Sequence, residues 1–309
     1  LPDTARALWF PRAQEAELRA ETLPPTPPGQ TRIRALFGGI SRGTEAMVFS
    51  GRVPPSEYDR MRGPNQGGSF PFPVKYGYAT VGLAGDIPVF CLHPHQTQFD
   101  APEAYPLPPG LPPERAILAA NMETALNIVW DAGIAPGDRV NIFGAGTVGL
   151  LTAWIAARIP GTDLRLTDPN PARATPARAL NIPFGPPQPG SDIAINASAS
   201  ADALATAIDH AAPDSLIVEA SWHPAPVTIP LGGAFHANRL RIAGSQVGNL
   251  PPTRRPSWTH TRRMQKALDL LRDPALDALI TGETAFDDLP ARYGEILSAP
   301  DTICHRIRY

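Results

Sequence analysis

The stretch NIFGAGTVGLL places Gly144, Gly146 and Gly149 in the pattern G-x-G-x-x-G, between an apolar strand-like run and an apolar helix-like run. In that context the pattern constrains the fold strongly, because each glycine has its own task. Gly144 permits a tight turn, Gly146 lets the backbone approach a pyrophosphate, and Gly149 lets the helix pack closely on the strand. Phosphates then sit at the helix N-terminus, beside Thr147 and Val148, where backbone amides lack partners. Asp168 ends the next strand-like run, LRLTD. A carboxylate there accepts hydrogen bonds from a ribose 2′-hydroxyl and repels a 2′-phosphate, which favours NAD over NADP. Arg173, a little further on, is placed to cover the adenine.

The elements around the fingerprint alternate. RVNIFG, LRLTD, DIAINAS, SLIVEAS and RLRIAGS read as strands, and Thr147–Arg158, Ala172–Leu180 and Ala201–His210 as helices. Such alternation predicts a doubly wound parallel sheet, with ligands at the carboxyl ends of the strands. Ser198, Ser221, Trp222 and His223 lie at those ends; the serines are assigned to the cofactor and Trp222 to the substrate. The first third differs. TRIRALFGGI, YATVGLAG and IPVFCL are short strand-like runs bounded by Gly and Pro, the pattern of a β-barrel-like domain. The expected division is a β domain over 1–119, completed by 256–309, and a nucleotide-binding domain over 120–255.

This layout resembles the medium-chain dehydrogenase/reductase superfamily. The resemblance rests on the fingerprint together with GISRGTE, YGYATVG, NMETALN and GSQVG, and covers nearly the whole chain. It implies an α/β fold: an N-terminal GroES-like β-barrel domain plus a Rossmann domain. It also implies hydride transfer between a nicotinamide cofactor and a small-molecule substrate, and a homodimer. Zinc-dependent members carry three catalytic ligands, and the matching positions here are Arg42, Tyr78 and Ala120. The four-cysteine lobe that holds a second zinc is missing too. The chain therefore looks like a zinc-lacking member, with no metal expected.

Without zinc, a side chain must stabilise the charge that develops on oxygen. By resemblance Tyr78 occupies a former histidine-ligand position and becomes the proton donor, assisted by Thr44, Lys75 or His95. Lys75 is one of two lysines in the chain, and a cation near Tyr78 is expected to lower its pKa. Arg42, Tyr76, Asn121 and Glu123 join Trp222 as substrate residues. Arg42, Lys75 and the basic run holding Arg254, Arg255, Arg262, Arg263 and Lys266 suggest a polar or anionic substrate. CLHPH offers Cys91, His93 and His95; extended geometry spreads the three too far for one metal, while neighbours two apart, such as His93 and His95, can share one.

Composition closes other routes. A net charge of −2 gives no pull toward nucleic acid. Two cysteines build no disulfide framework and fit a reducing compartment. The uncharged run Val140–Ala157 approaches the length of a membrane span but carries the fingerprint glycines, so a soluble, cytoplasmic protein is expected. Two rival readings remain at this point. One is NADPH-dependent reduction of a conjugated C=C bond, and the other a non-catalytic nucleotide sensor.

Overall fold

A computed structural model describes residues 3–309. The chain divides into two units, one running to Ala120 and resuming over Leu268–Tyr309, the other Asn121–Ala267.

The first unit opens with an antiparallel hairpin, β1 (Asp3–Trp9) and β2 (Glu17–Leu23), which the sequence pattern had not signalled. β3 (Thr31–Ser41) leads directly into α1 (Arg42–Phe49). The strand runs on through Gly38–Gly39. These glycines serve close packing: a Cβ on Gly39 would lie 3.0 Å from the Ile117 carbonyl oxygen, and one on Gly38 would lie 3.1 Å from Ile307. β4 (Gly67–Gly68) pairs with β5 (Val74–Lys75), and β6 (Thr80–Ala84), β7 (Ile87–Cys91), β8 (Gln98–Ala101) and β9 (Tyr105–Pro106) follow. β7 stops at Cys91, so His93 and His95 lie on a loop and not on one strand face. Ile33, Val89, Cys91, Phe99 and Ala101 form an apolar cluster in this unit.

α2 (Pro113–Ala116) and α3 (Ala119–Ala132) carry the chain into the second unit. There β10 (Arg139–Phe143), α4 (Thr147–Ala156), β11 (Asp163–Thr167), α5 (Ala174–Ala179), β12 (Ser191–Asn196), α6 (Ala201–His210), β13 (Ala211–Glu219) and β14 (Arg241–Gly244) alternate as expected. The sheet is wholly parallel, in the order β11-β10-β12-β13-β14. Beyond β11 the described residues form no full strand: Phe184 makes a single parallel bridge to Leu166. The connection that follows is pinned by Asn141, whose side chain exchanges hydrogen bonds of 2.8 and 3.1 Å with the backbone of Gln188.

α7 (His260–Leu270) contains the return to the first unit, at Leu268. That point lies later than residue 256, where the sequence pattern set it, because Arg263 is bound to Glu123 of α3. β15 (Ile280–Ala285), α8 (Leu289–Ser298) and β16 (Cys304–Arg308) complete the first unit, whose main sheet runs β15-β16-β3-β6-β7-β9 with β8 also on β3.

Candidate active site

The glycine loop has the geometry its spacing implies. Gly144 sits at φ +98°, and a Cβ there would meet the Ala197 carbonyl group at 2.9 Å. A Cβ on Gly149 would lie 1.8 Å from the Gly144 oxygen, so no side chain fits between helix and loop. At Gly146 a Cβ would meet nothing within 4 Å. The backbone there is open to an approaching group, which is what a pyrophosphate needs. Gly146 caps α4 with no side-chain hydrogen bond, and Thr147 and Val148 form its first turn. These residues fit a dinucleotide.

Asp168 is tied to this loop: its Oδ2 accepts from the Ala145 amide at 2.7 Å, and its Oδ1 accepts from the Asn170 amide at 2.8 Å. A carboxylate offers about four acceptor sites, so capacity for a ribose hydroxyl remains. Arg173 is buried in the Pro171–Arg173 turn and does not project from the surface. Ser198 donates to Asn196 Oδ1 at 2.6 Å, and Ser221 Oγ accepts from the Ala199 amide at 3.0 Å. Two residues missed in the sequence organise this end of the sheet. Asn196 donates to Glu219 Oε2 at 2.7 Å, and Glu219 Oε1 accepts from the Ser221 amide at 3.0 Å. Their signal was a polar side chain at the end of each apolar strand. His223 Nε2 lies 3.3 Å from Glu219 Oε2, yet neither ring nitrogen makes a hydrogen bond. Trp222 is half-buried beside it.

Two substrate assignments change within the second unit. Asn121 and Glu123 are buried, and Glu123 Oε1 accepts from Arg263 Nε at 3.0 Å. Arg263 is itself only 2% exposed and also donates to Asn127 Oδ1 and the Val247 carbonyl, each at 2.5 Å. Arg263 is therefore an internal brace. Of the other basic residues, Arg254 lies over Trp130 and Arg262 over Trp258.

In the first unit the expected group comes together only in part. Lys75 Nζ donates to Glu21 Oε2 at 2.7 Å and to Gln96 Oε1 at 2.8 Å, and lies 5.7 Å from the Trp9 ring. It fastens the β1–β2 hairpin through these contacts. Arg42 donates to the Leu297 and Pro300 carbonyls. Thr44, in the first turn of α1, is half-buried.

Tyr78 is half-buried, 6.2 Å ring to ring from the buried Tyr76. The expected lowering of its pKa is reversed. Burial, then the charge of Glu45, hold the phenol well above the usual 10.0, while a hydrogen bond with Ser41 acts the other way. Tyr76 is raised by the same two causes, burial first.

Glu45, the acid of the GISRGTE motif, is fully buried. Its Oε1 accepts from the Ser41 amide at 2.9 Å, and its Oε2 accepts from Tyr293 at 2.5 Å and lies 2.9 Å from His95 Nε2. The His95 ring is packed against Gly77, where a Cβ would come within 2.9 Å of it, and its Nδ1 has no partner.

At the three positions that the resemblance matches to zinc ligands stand Arg42, Tyr78 and Ala120, none of which offers the thiolate or imidazole side chain that zinc usually takes. Among the described residues no group of three or more His, Cys, Asp or Glu side chains is arranged to hold a metal ion. Among them, too, no helix is long and apolar enough to cross a membrane.

No protein-family model matches the chain. D-xylulose reductase A of Aspergillus niger is 26% identical over 160 residues, which cover 46% of this chain and 44% of that protein. The match thus spans less than half the length of that curated relative. Solved structures match over the whole length. One, described as a short chain alcohol dehydrogenase (rspB) from Escherichia coli CFT073 complexed with NADH, superposes with a TM-score of 0.79 at 13% identity, covering 99% of each chain. Another, 2R,3R-butanediol dehydrogenase from Bacillus subtilis, gives 0.78 at 16% identity, again over 99% of each. The chain has the fold of the medium-chain dehydrogenase/reductase superfamily, a GroES-like β domain with a Rossmann domain.

Proposed function

We propose that the protein is a nicotinamide-nucleotide-dependent oxidoreductase that interconverts a carbonyl and an alcohol without catalytic zinc. The observation that carries this reading is the glycine loop, closed at Gly144 and Gly149 and open at Gly146. Gly144, Gly146, Thr147, Val148 and Gly149 hold the pyrophosphate, and Asp168 the ribose, which favours NAD(H) over NADP(H). A nicotinamide nucleotide bound there supplies or accepts the hydride. Tyr78 donates a hydrogen bond or proton to the substrate oxygen, the task a metal performs in zinc-dependent relatives.

The substrate class favoured is a polar, uncharged polyol or ketose, of the kind the xylulose reductases are named for. Lys75, Arg42 and Arg263, which had suggested an anion, are engaged by Glu21, backbone carbonyls and Glu123. Titration with NADH and NADPH tests the cofactor. A clear preference for NADPH favours reduction of a conjugated C=C bond instead. The variant Tyr78→Phe is expected to lose turnover by roughly 10²–10⁴-fold with nucleotide affinity unchanged. Unchanged turnover removes Tyr78 from the chemistry, and stoichiometric zinc whose removal abolishes activity ends the zinc-free reading.

A further inference from the structure

The carboxyl ends of β12 and β13 hold a polar cluster to which the chemistry above gives no task. Glu219 closes β13. Its Oε2 accepts from the Asn196 side-chain amide of β12 at 2.7 Å, and its Oε1 from the Ser221 backbone amide at 3.0 Å. Four residues on, His223 Nε2 lies 3.3 Å from Glu219 Oε2, and the two side chains are only 14% and 17% exposed. Neither ring nitrogen of His223 has a hydrogen-bond partner, although both are shut off from solvent. Among the described residues Glu219 is the one charged group at ion-pair distance from this imidazole. The end of β12 and the loop after it present Asn196, Ser198 and Ala199, none of them titratable. Ser245, after β14, donates its amide to the Glu219 carbonyl and its hydroxyl to Asp131 of α3, an acid on which the charge of Arg263 in α7 also acts. No hydrogen bond fixes the charge of the ring, and an imidazole changes charge between about pH 5 and 8.

The place of the pair gives it a consequence. With the pyrophosphate at Gly146, after β10, and the adenosine ribose at Asp168, after β11, the second nucleoside runs the other way along the rim, over β12 and β13. The Ala197 carbonyl after β12 already packs against Gly144, and β13 is two strands from β10, roughly 10 Å at the usual strand spacing. A nucleoside spans that distance. We propose that His223, paired with Glu219, is a specificity-determining residue that selects between the oxidised and the reduced cofactor according to pH. This rests on the nicotinamide-nucleotide reading above. The oxidised nicotinamide ring carries a positive charge, the reduced ring carries none, and the remainder of the two molecules is the same. While the imidazole is protonated the pair is neutral. Once the proton leaves, the pair keeps the negative charge of Glu219, which attracts the cationic ring and not the neutral one. The sign follows: affinity for NAD relative to NADH rises as pH rises. By reciprocity, bound NAD eases the loss of the proton from His223 and bound NADH does not. Groups that face the shared half of the cofactor, such as Asp168, act on both forms alike and cancel from the ratio.

The test needs no substrate. Dissociation constants for NAD and for NADH are measured by calorimetry from about pH 5.5 to about 8, the window in which imidazole changes charge. In the wild type the preference for NAD over NADH is expected to grow by at least about threefold across that range. In His223→Gln, folded by circular dichroism, it is expected to stay at the wild type's alkaline value at every pH. A second measurement follows the His223 imidazole resonance in histidine-labelled wild-type protein. With NAD bound it is expected to titrate at least about half a pH unit lower than with NADH bound, the same threefold seen from the side of the proton. A preference that ignores pH overturns the proposal. So does a pH response that persists in His223→Gln, which would belong to Asp131 or another group. If His223→Gln does not fold, the resonance decides, and equal titration in the two complexes overturns the proposal. If neither nucleotide binds, the reading of the glycine loop falls and takes the proposal with it, whereas binding of both with a flat ratio sinks the role of His223 alone.

Discussion

Glu45 and Glu123 are both buried glutamates that bridge distant parts of the sequence, and they make opposite use of burial. Glu123 faces Arg263, a cation that stays charged at any working pH, whose donors are taken by Glu123, Asn127 and Val247. That cluster is electrically fixed. It ties α3 and α7 to the segment after β14. Among the described residues, Glu45 has only an imidazole as ion-pair partner, with the phenol of Tyr293 hydrogen-bonded to it. None of these neighbours is a permanent cation of the kind Arg263 offers Glu123. A fixed pair suits a brace, and a titratable one suits chemistry.

The largest effect expected from this contrast is on Arg263. Removing it by Arg263→Met leaves Glu123 buried without its cation and should cost about 3–5 kcal/mol in urea denaturation. A loss under about 1 kcal/mol would show that the pair is not the brace described, and would erase the contrast. The next effect is on acid stability. His93 is stacked on Phe99 at 3.6 Å, and burial pulls its pKa from 6.5 to about 3. A depressed histidine stabilises fully above 6.5 and loses that contribution as pH falls toward about 3, at about 1.4 kcal/mol per unit. Replacement by Gln should flatten this acid limb in denaturation curves; an unaltered limb would place the acid sensitivity elsewhere. Asp131, in the second unit, is shifted upward by burial. Its contribution has the opposite sign, present in acid and lost as pH rises through its folded value. The smallest effect is that of Lys75→Met. It should cost about 1 kcal/mol and leave the pH profile of turnover unchanged, since Lys75 serves Glu21 and Gln96. A shifted profile would restore Lys75 to the chemistry.

The parts of the molecule legible in the sequence are those whose cause is local. Gly149 is required by the backbone of Gly144 a few residues before it, and the strands and helices of the second unit follow from periodicity. Tyr78 could be singled out by its motif, but its electrostatics could not. Burial acts on it first and the charge of Glu45 second, and Lys75, three residues before it in the chain, is turned to Glu21. Lys75 finds its partner on β2, and Glu45 finds Tyr293 on α8, contacts that only the folded chain brings about. Arg263 looked like one of several surface arginines, because nothing near it in sequence announces Glu123. The β1–β2 hairpin lacked clean alternation, being partly exposed along β2.

Asn141 sits fully buried in the middle of an otherwise apolar strand and holds the backbone of Gln188. Just upstream of Gln188, Pro183 and Gly185 take up the amide and the carbonyl of Leu166. The outer rim of β11 is thereby sealed by irregular chain, a guard against intermolecular strand addition. An apolar residue at 141 would unfasten that cover and leave a sticky margin, so this one amide side chain also protects the protein from self-association in a crowded solution.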